Sequence, residues 1–322
     1  MSLYKPMEKA STHPKPPKIS VLIPCYHQAQ FLPEALDSVL HQDFQDLEVV
    51  ASDDASSDNT FSVLQDYSRR DSRIRIFHQP SNLGMVKNWN FCLRQARGEA
   101  VKLMGGDDRL NRADCLSRQW QSLQIPGVAL AACARSIINE SSIKIKTLVN
   151  LRSGVFTRNK IIPKILEHQD NLIGEPVCCL FRRSDAVRGF SDSIKQNTDI
   201  EMWLHLLQRG SLAYDSEPLV EFRHHLSQAS QQNWISGLAP EEHRLLMLRH
   251  ALDDQVPSAT KFHVLIRAKE TLVYAPSEKI REAANILASR LGSFEMAKYR
   301  ALHHVGRTFS RWKRSISKRI FK

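Results

Sequence analysis

The sequence predicts an α/β fold: a mostly parallel central sheet flanked by helices, with a helical C-terminal extension. Apolar runs of strand length and amphipathic runs of helix length alternate four times between Ile19 and Asp108. That alternation calls for parallel strands joined by right-handed crossovers. Two of the strand-length runs end in paired carboxylates, Asp53-Asp54 and Asp107-Asp108. Ligands of open α/β sheets bind outside the C-terminal ends of the strands, so four acids are expected on one such rim. Adjacent carboxylates repel each other. They persist where something cationic offsets them, most often a divalent metal with a phosphorylated ligand.

Each element can be justified in turn. Met1 to Lys18 is polar and holds four prolines, which reads as a flexible, basic lead-in. Ile19–Ile23 is a short strand expected to stop at Pro24. Phe31, Leu32, Ala35, Leu36, Val39 and Leu40 then recur at helical spacing. The run from Leu47 is the second strand, and Ser57-Asp58 offers an N-cap to a helix carrying Phe61, Leu64 and Tyr67. Ile74–Phe77 is a third strand. A helix with Met85, Trp89, Leu93 and Ala96 leads through Gly98 to the strand that ends in Asp107-Asp108. Val128–Ala134 has the length and composition of a buried strand, and Cys178-Cys179 opens another. Met202, Leu206 and Leu207 mark the inward face of a helix that starts near Asp199.

Composition narrows the function classes. The chain has 322 residues, 42% hydrophobic and 25% charged, ordinary for a soluble chain of one large domain with or without an extension. Its six cysteines form no CxxC pair and none stands at zinc-finger spacing from a histidine. With no signal-like leader and no apolar run near the ~20 residues of a bilayer span, they are expected to be reduced thiols in a cytoplasmic protein. The net charge of +11 is unevenly placed. Nine Lys and Arg and no acid lie from Lys298 onward, and residues 19–297 hold 32 bases against 33 acids. A nucleic-acid enzyme should be basic around its groove, so this distribution argues against that class. Neither GxGxxG nor GxxxxGK[ST] occurs, so phosphate is not held by a glycine loop. Metal held by carboxylates is the remaining common device.

Five ordered blocks carry a resemblance. Ile19–Pro24-Cys25-Tyr26 with Phe31-Leu32 and Ala35-Leu36-Asp37 resembles the opening of family 2 inverting glycosyltransferases of GT-A fold. Asp53-Asp54-Ala55-Ser56-Ser57-Asp58-Asn59-Thr60 resembles that family's DDGS-x-D-x-T segment. Asn82-Leu83-Gly84 with Asn90 and Ala96–Glu99 resembles its middle block, and Asp199–Leu204 its catalytic Asp block. Phe222-Arg223-His224-His225 with Gln228 and Ser230 resembles its closing block. The match covers about residues 18–232 of the sequence.

The resemblance implies roles. Pro24, Cys25 and Tyr26 would line the nucleotide pocket. Asp53, Asp54, Asn82 and Asp107 would hold the donor, with Asp54 on the base or ribose. Asp107 and Asp108 would bind a divalent metal, Mn2+ or Mg2+, with His225 a further candidate and Arg223 reaching the diphosphate. Asp199 would be the catalytic base; Glu175 and Trp203 would lie on the acceptor side. The family motif is often Asp-x-Asp, and Gly105 stands at its first position here. The implied activity is metal-dependent hexosyl transfer from a nucleotide-sugar to a glycan or lipid-linked acceptor in polysaccharide synthesis. Two alternatives stay open. A non-catalytic descendant fits the loss of an acid at Gly105. A sugar-nucleotide-forming nucleotidyltransferase shares the sheet but needs a Gly- and Arg-rich loop after the first strand, which is missing.

Beyond the resemblance, residues 19–235 are expected to form the catalytic domain, 236–297 a helical extension, and 298–322 a basic amphipathic helix. In that tail Leu302, Val305, Phe309, Trp312, Ile316 and Ile320 form one stripe, opposite Arg307, Arg311, Arg314, Lys318 and Lys322. This pattern suits a helix lying on an anionic membrane, which would make the protein peripheral on the cytoplasmic face.

Overall fold

The computed structural model describes residues 15–225, 228, 238–270, 278–293 and 295–298. Its first half runs β1 (Ile19–Cys25), α1 (Leu32–Leu40), β2 (Leu47–Asp53), α2 (Thr60–Arg70), β3 (Ile74–His78), α3 (Met85–Gln95) and β4 (Ala100–Leu103). The short β5 (Arg109–Leu110), α4 (Cys115–Gln124), β6 (Val128–Ile138), β7 (Lys144–Leu148) and β8 (Gly154–Phe156) follow. Then come α5 (Arg158–His168), β9 (Cys179–Arg182), α6 (Thr198–Leu206) and β10 (Ser211–Arg223). Three further helices are described after them: α7 (Leu238–Ala251), α8 (Ser258–Glu270) and α9 over 278–293.

The strands form one mixed sheet in the order β3-β2-β1-β4-β9-β6-β10-β5, with β7 beside β6 and β8 beside β10. β1 pairs in parallel with β2 and with β4, as β2 does with β3 and β6 with β10. β9 enters antiparallel between β4 and β6, so β3, β2, β1, β4, β6 and β10 all point the same way. Every residue of β1 is buried, as expected of a central parallel strand covered on both faces. The strand passes through Pro24 rather than stopping there. Pairing with β4 ends at Leu22, and beyond it β1 bonds only to β2, so the missing N–H of Pro24 breaks no ladder on the β4 side.

Helix α1 shows how the pattern becomes packing. Leu32, Ala35, Leu36 and Val39 are all buried, the i, i+3, i+4, i+7 stripe of a helix lying on a sheet. Truncating Leu36 to Ala would cost about 2–5 kcal/mol. The expected cap of α2 is displaced outward by one residue. Asn59 stands at the N-cap without a side-chain bond, and Asp58 Oδ1 instead accepts from Thr60 N (3.0 Å) and Thr60 Oγ1 (2.6 Å). The helices after β10 brace the body. Glu242 of α7 accepts from the backbone N–H groups of Lys195 and Gln196 at 2.8 Å each, on the loop that enters α6. Thr260 of α8 donates to Glu167 of α5 at 2.6 Å. Among the described residues no helix is long and apolar enough to cross a membrane. The lead-in before residue 15 and the tail past residue 298 lie outside the described residues, as does Ser230.

Candidate active site

The parallel register sets the site. Asp53 ends β2 opposite Cys25, the last residue of β1, and Asp107-Asp108 follow β4 on the other flank of β1. The loops after β1 and β2 are laced together. His27 N bonds Ser56 Oγ (2.9 Å), Gln28 N bonds Thr60 Oγ1 (2.9 Å) and Ala29 N bonds Asp58 Oδ2 (3.3 Å). His27 and Ala55 both take left-handed backbone angles, φ 52° and 58°. Tyr26 is held outward by this lacing, 49% exposed, its ring stacked on His27 at 4.0 Å.

The first acid pair divides its work. Asp54 is buried, and its two oxygens accept from Leu83 N (2.7 Å) and Gly84 N (3.0 Å). It fastens the loop before α3, to which Asn82 also contributes through a bond to Asp54 O (3.3 Å); the Asn82 side chain is exposed. Asp53 is fully enclosed. Its Oδ2 meets His78 Nδ1 at 2.8 Å, while its buried Oδ1 has no hydrogen-bond partner among the described residues. Such an orphan acceptor is costly unless a ligand completes it.

The second pair lies at the junction of β4, β5 and β10. Asp107 Oδ1 accepts from Gln28 Nε2 (3.2 Å), and Oδ2 meets His225 Nε2 (2.9 Å) and Gln228 Nε2 (3.4 Å). Asp108 Oδ1 accepts from Arg223 N (3.0 Å). Burial pushes the Asp108 carboxyl well above the usual range, and the adjacent Asp107 and the charge of Glu175 push it further. No Lys or Arg forms an ion pair with either acid among the described residues. A Cβ at Gly105 would meet the Asp107 Oδ1 carboxylate oxygen, so a larger residue there would make that carboxylate turn.

The third element group converges from the far half of the sheet. Asp199 sits in the first turn of α6, facing the loop that precedes β9. Asn171 Nδ2 donates to Asp199 Oδ2 (3.1 Å) and to Gly174 O (3.0 Å). Gly174 holds φ 116°, and its N–H returns to Asn171 Oδ1 at 2.9 Å. Glu175 is ion-paired with buried Arg135. Burial lifts the Asp199 carboxyl to about 7, and the Glu175 charge lifts it while Ile200 N–H and Arg135 pull it down. The Glu175 charge raises both the Asp108 and the Asp199 carboxyls. Behind this loop, fully buried Lys102 donates to Gln119 Oε1 (2.8 Å) and Val177 O (2.5 Å).

Four sequence expectations need correction. Cys25 is 1% exposed, its thiol on Ile23 O at 3.3 Å and pushed well up by burial; it is a core residue and offers a ligand no surface. Pro24 is likewise buried within β1. Trp203 is fully buried, packs on Phe181 and donates to Gly174 O at 3.1 Å. It supports the Asp199 loop and presents no face to a sugar. Arg223 is also fully buried, spending its guanidinium on Asp107 O, Asn139 O, Ser142 Oγ and Glu34 with Phe31 beneath it. It stitches the Asp107-Asp108 corner together and cannot reach outward. Sequence reasoning missed Asn171, Arg135 and Gln28, which touch the expected acids. Only proximity in sequence to Gly174-Glu175 and Tyr26 pointed toward two of them.

Comparison with known proteins places this geometry. Residues 20–190 match the family described as Glycosyl transferase family 2. TuaG of Bacillus subtilis, named as a teichuronic acid biosynthesis glycosyltransferase, is 26% identical over 222 residues, 68% of this chain and 83% of its own. A Campylobacter jejuni GalNAc(5)-diNAcBac-PP-undecaprenol beta-1,3-glucosyltransferase is 43% identical over 95 residues, under a third of either chain. The crystal structure of Staphylococcus aureus TarS 1–349 with UDP-GlcNAc superimposes with a TM-score of 0.63 over 80% of this chain and 73% of that one, at 18% identity. That likeness establishes a shared GT-A fold.

Proposed function

The chain belongs to glycosyl transferase family 2, and on that premise we propose that it inverts an anomeric centre while moving a sugar from a nucleotide-diphosphate donor to an acceptor hydroxyl. The observation that carries the reading is the pair of enclosed acid groups, Asp108 after β4 held by Arg223 N and Asp199 at the start of α6 held by Asn171. One side of the site can take a charged leaving group, and the other holds a base poised near neutrality.

On the donor side, the exposed Tyr26 ring offers a stacking face to a nucleobase, and the orphan Asp53 Oδ1 suits a ring N–H or ribose hydroxyl. Asn82 is exposed at the same rim. Asp54, already bonded to two backbone amides, positions the loop under the donor.

Asp107 and Asp108 would hold a divalent metal, Mn2+ or Mg2+, with His225, bonded to Asp107, a further candidate. Among the described residues no three His, Cys, Asp or Glu side chains are gathered to hold an ion unaided. One or two carboxylates completed by substrate phosphates is the usual mode for such cations. When bound, the ion neutralises charge that develops on the diphosphate.

Asp199 accepts the acceptor hydroxyl's proton on the face opposite the departing nucleotide. A base with a pKa near the working pH is matched to that task. Glu175, held by Arg135, lines the acceptor side. A glycan or lipid-linked precursor of a polysaccharide is the acceptor class, supported by what TuaG and the undecaprenol-linked glucosyltransferase are named for. We place the protein at the cytoplasmic face of the membrane, where the 298–322 tail would hold it.

The test is release of free sugar or glycoside from a panel of nucleotide-sugars, with and without Mn2+ or Mg2+. Steady sugar release with nucleoside diphosphate as co-product supports transfer. Pyrophosphate chemistry, or silence across the panel, contradicts it.

A further inference from the structure

Asp199 is held where two segments from different parts of the chain meet. The loop that enters α6 delivers the base itself. The turn after α5 delivers Asn171, whose Nδ2 donates to Asp199 Oδ2 at 3.1 Å. Asn197 stands at the N-cap of α6 without a side-chain bond, and the turn begins at Gln169, in the left-handed region at φ 52°. Amides ahead of a helix find no partner within it, so those of Lys195 and Gln196 need an acceptor from elsewhere.

Helix α7 reaches both segments with neighbouring side chains. The two oxygens of Glu242 accept separately, Oε1 from Lys195 N and Oε2 from Gln196 N, at 2.8 Å each. A carboxylate suits that place, because the start of a helix favours negative charge. His243, the next residue, lies against the backbone of Gln169 and beside the Asp170 carboxylate. Asp170 Oδ1 accepts in turn from Asn171 N at 2.8 Å, so the contact is one residue from the group that holds the base. Leu246 and Met247, a turn further on, belong to the buried core. Glu242 and His243 both lie past 20–190, the stretch that matches the family.

We propose that Glu242 and His243 are positioning residues for the base: α7 clasps the loop entering α6 with one and the Asn171 turn with the other, keeping Asp199 and Asn171 in register. The helical extension then serves the reaction rather than merely decorating the fold. The Asn171–Asp199 bond, 3.1 Å long, is lost by about 3.6 Å, so a small slippage breaks it. Misplacing a reacting group by about 1 Å costs up to about a hundredfold in rate. If the two contacts only fastened α7 to the body, losing another fastening would act alike. Arg158, at the opposite end of α5 from Gln169, supplies one: it bonds Asp253 and Gln255 just past α7. The consequence for rate rests on the glycosyl-transfer reading; the clasp itself does not.

The experiment compares Glu242→Ala, Glu242→Gln, His243→Ala and Arg158→Ala in the full chain. Amide hydrogen exchange is followed without substrate. Single-turnover sugar release is followed with a nucleotide-sugar of the panel that wild type turns over. Glu242→Ala should speed exchange across 195–201 and leave 82–84 unchanged; His243→Ala should speed it across 169–174. The rate of Glu242→Ala should fall roughly tenfold to a hundredfold, with donor Kd within about twofold of wild type. Glu242→Gln, which keeps one acceptor, should fall between. Combined with Asp199→Asn, Glu242→Ala should cost nothing more, because residues that act through one group do not add. Arg158→Ala should lower thermal stability and keep the wild-type rate. The proposal is overturned if Glu242→Ala leaves 195–201 protected or His243→Ala leaves 169–174 protected. It is equally overturned if Arg158→Ala slows release as much, or if the Glu242→Ala loss persists beside Asp199→Asn. Should wild type release no sugar, the glycosyl-transfer reading falls, and exchange alone decides the clasp.

Discussion

Asp199 and Asp108 share a physical predicament: each carboxyl is enclosed, and each feels the charge of Glu175. For Asp199, with its pKa lifted to about 7 in the fold against ~3.9 in an unfolded chain, the consequence for stability has a definite sign. Burial favours the protonated form, so its contribution is complete below about pH 4 and is lost as pH rises to about 7. Asp199→Asn should therefore match wild-type stability near pH 4 and exceed it near pH 8, by up to about 4 kcal/mol. Thermal unfolding at the two pH values checks this; a destabilised variant at pH 8 would contradict it. Activity should run the other way, rising with pH through the same window as Asp199 ionises. Asn171 tunes that window. Losing its bond to a carboxylate is worth about 1.5–3 kcal/mol, so Asn171→Ala should move the acidic limb of kcat up by about one to two pH units with donor KM unchanged. A uniform fall in kcat with the limb in place would mean that Asn171 only supports the loop. Ala55 is a smaller case. At φ 58° a Cβ is strained by about 1–2 kcal/mol, part of which glycine's backbone entropy takes back. Ala55→Gly should raise stability by up to ~1 kcal/mol.

At the scale of elements, what could be read in the sequence follows from how each piece is stabilised. β1, β2 and β4 are buried along their whole length, so unbroken apolar runs announced them. β7 and β8 are short and mostly exposed; they exist through pairing with β6 and β10, and no periodicity marks them. The acids at the strand ends were legible because Asp there is chemically conspicuous. That Asp54 is consumed by the amides of Leu83 and Gly84 was not, since those partners come from a loop nearly thirty residues away. Buried Arg223 and Lys102 were hidden for the same reason. Lys102 ties β4 and α4 to the turn behind Glu175. Lys102→Met should leave Val177 O unpaired in the core, and Gln119 Oε1 with only the Cys115 thiol, at a cost of about 1–3 kcal/mol, read by denaturant unfolding. At the rim, Asp108→Asn should keep the fold and abolish the Mn2+-dependent part of nucleotide stabilisation in thermal melts. Unchanged metal dependence would remove Asp108 from the metal site.

For the whole molecule, the sheet divides the labour. Strands β3, β2, β1 and β4 carry the residues assigned to the donor, and β6, β9 and β10 with α6 carry those assigned to the acceptor. β5 and β10 join the halves at Arg223 and Asp108. The C-terminal helices reinforce the second half through Glu242 at the entrance to α6. Damage should therefore separate: changes on the first half weaken donor binding, and changes at α6 slow the chemistry. The most direct measurement is the single-turnover rate of Asp199→Asn, with donor affinity determined by calorimetry on the same protein. A base of this kind contributes about 10²–10⁴-fold, so the rate should fall by that factor while donor Kd stays within about twofold of wild type. A variant that turns over normally, or one that loses donor affinity in step with rate, would contradict the assignment of Asp199 as the base.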